Sequence, residues 1–109
     1  MTYQFYRQAD GIILTFDLTN ESSFKNTKGW LLSIYKHCEP NKPKLLCGNK
    51  LDLIESSEDY VQDDAAKKVA EDHHMKYFKT SAFRGDNIPE MISYMINQVY
   101  ESKIKPELE

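Results

Sequence analysis

Residues 44–52 read KLLCGNKLD, a short apolar run that passes without a break into a tail of amide, ammonium and carboxylate groups. Two runs of similar length flank it, GIILTFDL at residues 11–18 and KYFKTSA at residues 76–82. The first is apolar at nearly every position, the pattern of a strand buried on both faces. The last is less apolar, and its Tyr77 and Thr80 place it near a sheet edge. Short runs that alternate with stretches of helical period mark βαβ units, whose strands lie parallel. The fold class predicted is α/β, with three parallel strands and three helices in three layers, as one domain over residues 1–109.

The helices follow from spacing. Phe24, Thr27, Leu31, Ile34 and Cys38 recur every three or four residues and make one amphipathic face. Thr19, Asn20, Glu21 and Ser22 offer caps before it, and Pro40 and Pro43 stop it afterwards. After a polar loop at 55–60, a second helix opens on Asp63 and Asp64, where the dipole favours negative charge. It carries a small-residue stripe of Ala65, Ala66, Val69 and Ala70, and His73 and His74 close it as surface cations rather than metal ligands. The last helix has the strongest period, through Ile88, Met91, Ile92, Met95, Ile96, Val99 and Tyr100. Asn87 and Glu90 have capping-box spacing at its start, and Pro106 is expected to end it. Trp30 falls off the main apolar face of its helix and reads as half-covered, while Tyr3, Phe5 and Tyr6 read as packing on the sheet.

Composition removes several classes of function. The formal net charge is −3 with both signs scattered, so no basic stripe awaits nucleic acid or an anionic membrane. The two cysteines, Cys38 and Cys47, fit small apolar side chains in a reduced protein better than a disulfide framework or a zinc site. The N-terminal residues show no signal-peptide pattern, and the closing SKIKPELE offers no cysteine for a lipid. These features predict a soluble, unanchored cytoplasmic protein.

The chemistry-bearing residues gather at strand ends. Open α/β sheets bind ligands beyond the carboxyl ends of their strands. One strand ends in Asn49, Lys50 and Asp52, and the next in Thr80, Ser81 and Ala82. A carboxylate beside a backbone N–H discriminates guanine: the carboxylate accepts from the ring N–H and the exocyclic amine, and the N–H donates to the carbonyl. Adenine reverses the polarity at both places. Each charge-assisted bond is worth about 1.5–3 kcal/mol, and a group left unpaired costs more. The plainer reading is a polar turn at Asn49 to Asp52 and a strand-to-turn junction at Ser81 and Ala82.

At these residues the chain resembles the small GTPases of the Ras superfamily, closest to the Rab branch. Asn49-Lys50-Leu51-Asp52 is similar to the N-K-x-D base motif, and Thr80-Ser81-Ala82 to the T-S-A motif. The flanks agree: Tyr6-Arg7, Gly11-Ile12-Ile13, Asp17-Leu18-Thr19 with Ser23-Phe24, Trp30-Leu31 and Leu46-Cys47-Gly48. The resemblance implies a P-loop NTPase-like fold truncated to its last three strands and three helices, the C-terminal half of the domain. It also implies that Asp52 accepts from guanine N1 and N2, that Asn49 ties the base loop to the phosphate loop, and that the Lys50 stem lies across base and ribose. Ser81 would brace Asp52, the Ala82 N–H would reach guanine O6, and Thr80 would support the loop. Phe83 departs from the lysine usual there, so a phenyl ring stands where the family packs a lysine stem.

The resemblance further implies GTP or GDP as ligand, Mg²⁺ in the parent family, and a switch in vesicle-mediated transport. The phosphate loop G-x-x-x-x-G-K-[ST] is not matched, because Gly11, Gly29, Gly48 and Gly85 are the only glycines and none lies in that arrangement. No D-x-x-G-Q segment supplies the water-positioning glutamine, and neither Gln4 nor Gln8 fits. The chain reads as beginning just after that point, so it is expected not to hydrolyse GTP alone. GIILTFDL would then be an exposed apolar edge. The rival reading is a nucleotide-free interaction module that oligomerises or pairs with an N-terminal half through this strand. A non-functional fragment is the third.

Overall fold

In a computed structural model, which describes residues 9–37 and 42–108, the three apolar runs form one parallel sheet. Strand β1 is Ile12–Asp17, β2 is Lys44–Asn49 and β3 is Lys76–Lys79, in the spatial order β1-β2-β3. The β1–β2 register runs from Ile12 opposite Lys44 to Asp17 opposite Asn49, and β2–β3 from Leu45 opposite Lys76 to Gly48 opposite Lys79. All three carboxyl ends therefore emerge at one pole. The predicted α/β class with parallel strands is the one observed, and β3 is an edge strand as Tyr77 and Thr80 suggested. Tyr3, Phe5, Tyr6, Arg7, Cys38 and the 39–41 helix stop lie outside the described residues.

Helix α1 (Glu21–Lys25) begins at Asn20, whose Oδ1 accepts from the Ser23 N–H at 3.1 Å. The single helix expected next is two, with α2 (Thr27–His37) starting afresh. The Thr27 hydroxyl donates to the Phe24 carbonyl at 2.6 Å, a local bond of the kind that competes with the helical ladder. Helix α3 (Asp63–Asp72) carries both acids in its first turn and buries Ala66 and Ala70, whose small side chains let it lie close to the sheet.

Helix α4 (Ile88–Val99) does not use a capping box. Asn87 sits in the left-handed region at φ 61°, and its amide donates instead to the Lys79 carbonyl at 2.6 Å. Nor does the chain stop before Pro106. A π-helical turn at Tyr100–Ile104 runs without a break into α5 (Lys105–Leu108), with the Lys105 N–H bonded back to the Tyr100 carbonyl, so the helical path continues through the proline.

Helices α2 and α3 cover one face of the sheet and α4 the other. On the first face Leu14, Phe16, Leu18, Leu31 and Leu46 pack with Val61, Ala66, Ala70 and Met75. On the second, Leu45, Cys47 and Met91 form a smaller cluster. Burial of β1 on both faces, expected from its composition, is not found. Leu14 and Phe16 are buried while Ile13 is 38% exposed. The reason is cover: α4 touches this strand's start, where a Cβ on Gly11 would meet Met95 and Val99, and β2 is its one strand partner among the described residues. No helix among the described residues is long and apolar enough to cross a membrane.

Candidate functional site

The site begins with a backbone choice. Asn49 ends β2, and Lys50 takes φ 70°, left-handed and costly for a residue with a Cβ. That turn swings the chain into a 3₁₀ helix at Leu51–Ser56 and sets Asp52 in its first turn. The Lys50 ammonium reaches sideways to Asp17 Oδ2, 2.9 Å away at the end of β1. Burial alone would raise the Asp17 carboxyl. The Thr19 hydroxyl, the Lys50 ammonium and the Thr19 backbone N–H outweigh it and hold the carboxyl below its ordinary value.

The second wall rises from β3. Thr80 and Ser81 are fully buried, and their hydroxyls point back at the first loop. Thr80 Oγ1 donates to Asn49 Oδ1 at 3.2 Å, and the Ala82 N–H donates to the same oxygen at 3.0 Å. Two donors converging on one terminal atom identify it as the amide oxygen, which leaves Nδ2 as the donor end of Asn49. Because Thr80 spends its proton on Asn49, the Cys47 thiol is the donor across their 3.2 Å contact. Burial pushes the Cys47 thiol up, which keeps that proton in place. Ser81 Oγ donates to Asp52 Oδ1 at 2.8 Å and accepts from the Arg84 N–H at 3.0 Å. Arg84 is itself paired with Asp86, which tightens the turn.

These bonds bring Asn49, Lys50, Asp52, Leu53, Ala82 and Phe83 around an open pocket of about 490 Å³. Phe83 stands 90% exposed at its rim. Thr80 and Ser81 lie behind the wall as supports. One expected donor is already in use, because the Ala82 N–H is engaged with Asn49 and would have to be shared with a ligand carbonyl. Asp17 was missed from sequence, although the carboxyl-end rule applied to the first strand would have found it opposite Asn49. Leu53 and the Arg84–Asp86 pair carried no sequence signal of their own. Among the described residues no group of three or more His, Cys, Asp or Glu could hold a metal ion.

Comparison with known proteins agrees with this corner of the fold. The family model described as Ras family matches residues 1–101. The chain is 40% identical over 101 residues to Ras-related protein Rab-27A of Rattus norvegicus, covering 91% of this chain and 44% of that protein. The human Rab-27A gives the same identity and coverage. Ras-related protein Rab-13 of Canis lupus familiaris is 36% identical over 99 residues, covering 91% of this chain and 48% of the relative. The chain thus spans about half the length of the relatives it matches. With the family match running through both strand-end motifs, the chain belongs to the Ras family of small GTPases and is Rab-like within it.

Proposed function

We propose that the chain recognises guanine at the carboxyl ends of β2 and β3, with GDP or GTP as the ligand of the parent family. The observation that carries this reading is the Asp52 carboxylate, held by the Ser81 hydroxyl at 2.8 Å on the wall of an open pocket. A carboxylate fixed in this way offers parallel acceptors to guanine's ring N–H and exocyclic amine. Asn49 and Ala82 line the same pocket, and the Ala82 N–H, which donates to Asn49 Oδ1, would have to be shared with a base carbonyl. Lys50 and Phe83 line it as well. The biological setting we assign is the family's: a switch in vesicle-mediated transport, in the cytoplasm at membrane faces.

Hydrolysis is a separate matter. Phosphoryl transfer depends on positioning and charge stabilisation by the phosphate loop, its Mg²⁺ and a water-orienting glutamine. The sequence has neither the G-x-x-x-x-G-K-[ST] nor the D-x-x-G-Q pattern, so this chain by itself is expected to turn over no GTP. Titration calorimetry with GDP and Mg²⁺, run beside Asp52→Asn, tests the binding claim. Saturable heat that the substitution abolishes supports it. A folded chain that gives no heat overturns it.

A second reading rests on a different observation. The outer edge of β1 has no strand partner among the described residues, and Ile13, Ile92 and Ile96 stand 38%, 42% and 62% exposed on the α4 face. A second copy of the chain, or a polypeptide supplying the N-terminal half of such a domain, would cover both. Sedimentation velocity without nucleotide checks it: a dimer supports the pairing module, and a monomer at high concentration counts against self-pairing.

A further inference from the structure

At the opposite pole, by the amino ends of β2 and β3, a second open cavity of about 440 Å³ lies beside the C-terminal ends of α2, α3 and α4. Its charged lining comes from three separate stretches: Lys42 and Lys44 around the start of β2, His73 and His74 after α3, and Glu101 in the π-helical turn. Glu101 is paired with Lys105 at 3.4 Å, so the one acid of the lining is answered and basic groups are left in excess. That excess gathers in a chain whose net charge is −3. The aromatic rings of the lining are already in use. The Lys44 ammonium lies 5.2 Å from the Tyr35 ring centroid, His73 stacks on the same ring at 5.5 Å, and the Lys76 ammonium lies 5.1 Å from the centroid of Tyr94. A ligand here is therefore met by charge and N–H donors, and not by stacking.

The histidines supply directed donors. With the Tyr35 hydroxyl donating to His73 Nδ1 across 2.7 Å, the ring proton of His73 sits on Nε2. His74 stands at φ 56°, a left-handed position that ends helices and usually goes to glycine. Its imidazole makes no hydrogen bond among the described residues. A costly backbone position kept by a basic side chain with nothing local to bond is one that an outside partner explains. The C-terminal dipole of α3 repels an anion by about half a charge, less than the Lys42 and Lys44 ammoniums supply. We propose that this cavity is a site for a phosphate monoester dianion, held by the two ammoniums and by the N–H groups of His73 and His74. A phosphate offers three strong acceptor oxygens to donors arriving from several sides, where a carboxylate offers two. The proposal is independent of the guanine reading, whose pocket lies at the other end of the strands.

The test is titration calorimetry of the full chain with glycerol phosphate, run beside uncharged glycerol and repeated on Lys44→Gln, His74→Gly and Lys67→Gln. Expected is saturable binding of the ester and none of glycerol, with affinity lowered about three- to tenfold by Lys44→Gln and by His74→Gly. Lys67 is exposed elsewhere on α3, so Lys67→Gln removes the same charge from the chain and should leave affinity within about twofold. His74→Gly should melt no lower than the parent chain, because glycine adopts the left-handed turn freely, and its loss of binding is then not a loss of folding. Co-sedimentation with phosphatidylcholine vesicles carrying phosphatidic acid, which presents the same monoester, separates the two sources of such a group. Binding in both assays supports the site with a lipid headgroup as its ligand, and binding of the soluble ester alone supports it with a small molecule. No saturable binding of the ester by folded chain would overturn the proposal, as would recruitment to vesicles without it. An equal loss in Lys67→Gln would reduce the effect to diffuse charge, and unchanged affinity in either Lys44→Gln or His74→Gly would place the ligand elsewhere. Each of these outcomes also overturns the site.

Discussion

Among the described residues, nine buried side chains seal the face of the sheet under α2 and α3, and three do so under α4. The same strands serve both faces, so the difference lies in what lies above them. On the sealed face Phe16 packs against Phe24 with ring centroids 5.0 Å apart and stacks on Tyr77 at 6.2 Å. On the other face the Phe78–Tyr94 pair is covered in part by the Lys76 ammonium, 5.3 and 5.1 Å from the two ring centroids, and Ile13, Ile92 and Ile96 remain open. One face is a finished core, and the other is a surface with a core's composition. The candidate pocket lies across the ends of β2 and β3, and its supports, Thr80 and Ser81, are among the most deeply buried residues of the chain.

The strongest way to break this comparison is to damage the sealed face. Leu46 is fully buried there, and Leu46→Ala should cost about 2–5 kcal/mol, a large share of the roughly 5–15 kcal/mol that holds a domain of this size together. Urea denaturation followed by circular dichroism reads it directly. A cost under about 1 kcal/mol would mean that the sealed face is not the seat of stability. Gly48→Ala probes the same face by overpacking. A Cβ there would lie 2.8 Å from Leu18 Cδ2, 2.9 Å from the Tyr77 hydroxyl and 3.0 Å from Phe16 Cζ. Side chains on β1, on β3 and in the turn after β1 would have to move, at a cost of about 1–3 kcal/mol. Because Gly48 immediately precedes Asn49, the same substitution should also weaken ligand binding at the pocket.

Tyr77 is the flaw in the sealed face. Its buried hydroxyl has no hydrogen-bond partner, and burial, with smaller contributions from the charges of Asp63 and Cys47, raises its pKa far above the ordinary value. Above pH 10 an unfolded chain releases the phenolic proton while the folded chain keeps it. The unfolded state then binds fewer protons, so stability falls as pH rises past the ordinary tyrosine range. Tyr77→Phe should remove that alkaline loss and, at neutral pH, be neutral or stabilising by up to about 1 kcal/mol, since it deletes an unsatisfied group without opening a cavity. Thermal melts of both proteins at neutral and alkaline pH check the two claims. A loss of 1 kcal/mol or more at neutral pH would show that the hydroxyl is satisfied after all.

How far the sequence carried this picture depended on range. The strands and the strand-end motifs were legible because alternation and spacing are local. So were Asp63 and Asp64 at a helix start. The break between α1 and α2 was not, because it turns on one hydroxyl, that of Thr27, choosing the Phe24 carbonyl. Asn87 matched a cap pattern, yet its side chain found the Lys79 carbonyl on a neighbouring strand, a partner that spacing cannot reveal. The exposed half of β1 was not legible from composition, and the open edge was expected only from the resemblance. Apolar composition says that a residue can be buried and does not say whether anything covers it. At the pocket, residue types were readable in advance, but the capture of the Ala82 N–H by Asn49 was a matter of three-dimensional closure.

The smallest expected effect is the one that most sharpens the comparison. Ile96 is 62% exposed on α4, so Ile96→Ser should change the stability of the isolated chain by no more than about 0.5 kcal/mol. The residue is β-branched and apolar, the kind of side chain whose truncation is costly when buried. Measuring the cost at two protein concentrations separates the explanations. A small cost at both means that the face is open in solution, as it is in the structure. A cost that grows with concentration means that a second copy covers the face, because a partner that binds only the folded state adds stability by mass action. A large cost that does not depend on concentration would mean that the chain covers Ile96 itself, and the contrast between the two faces would then fail.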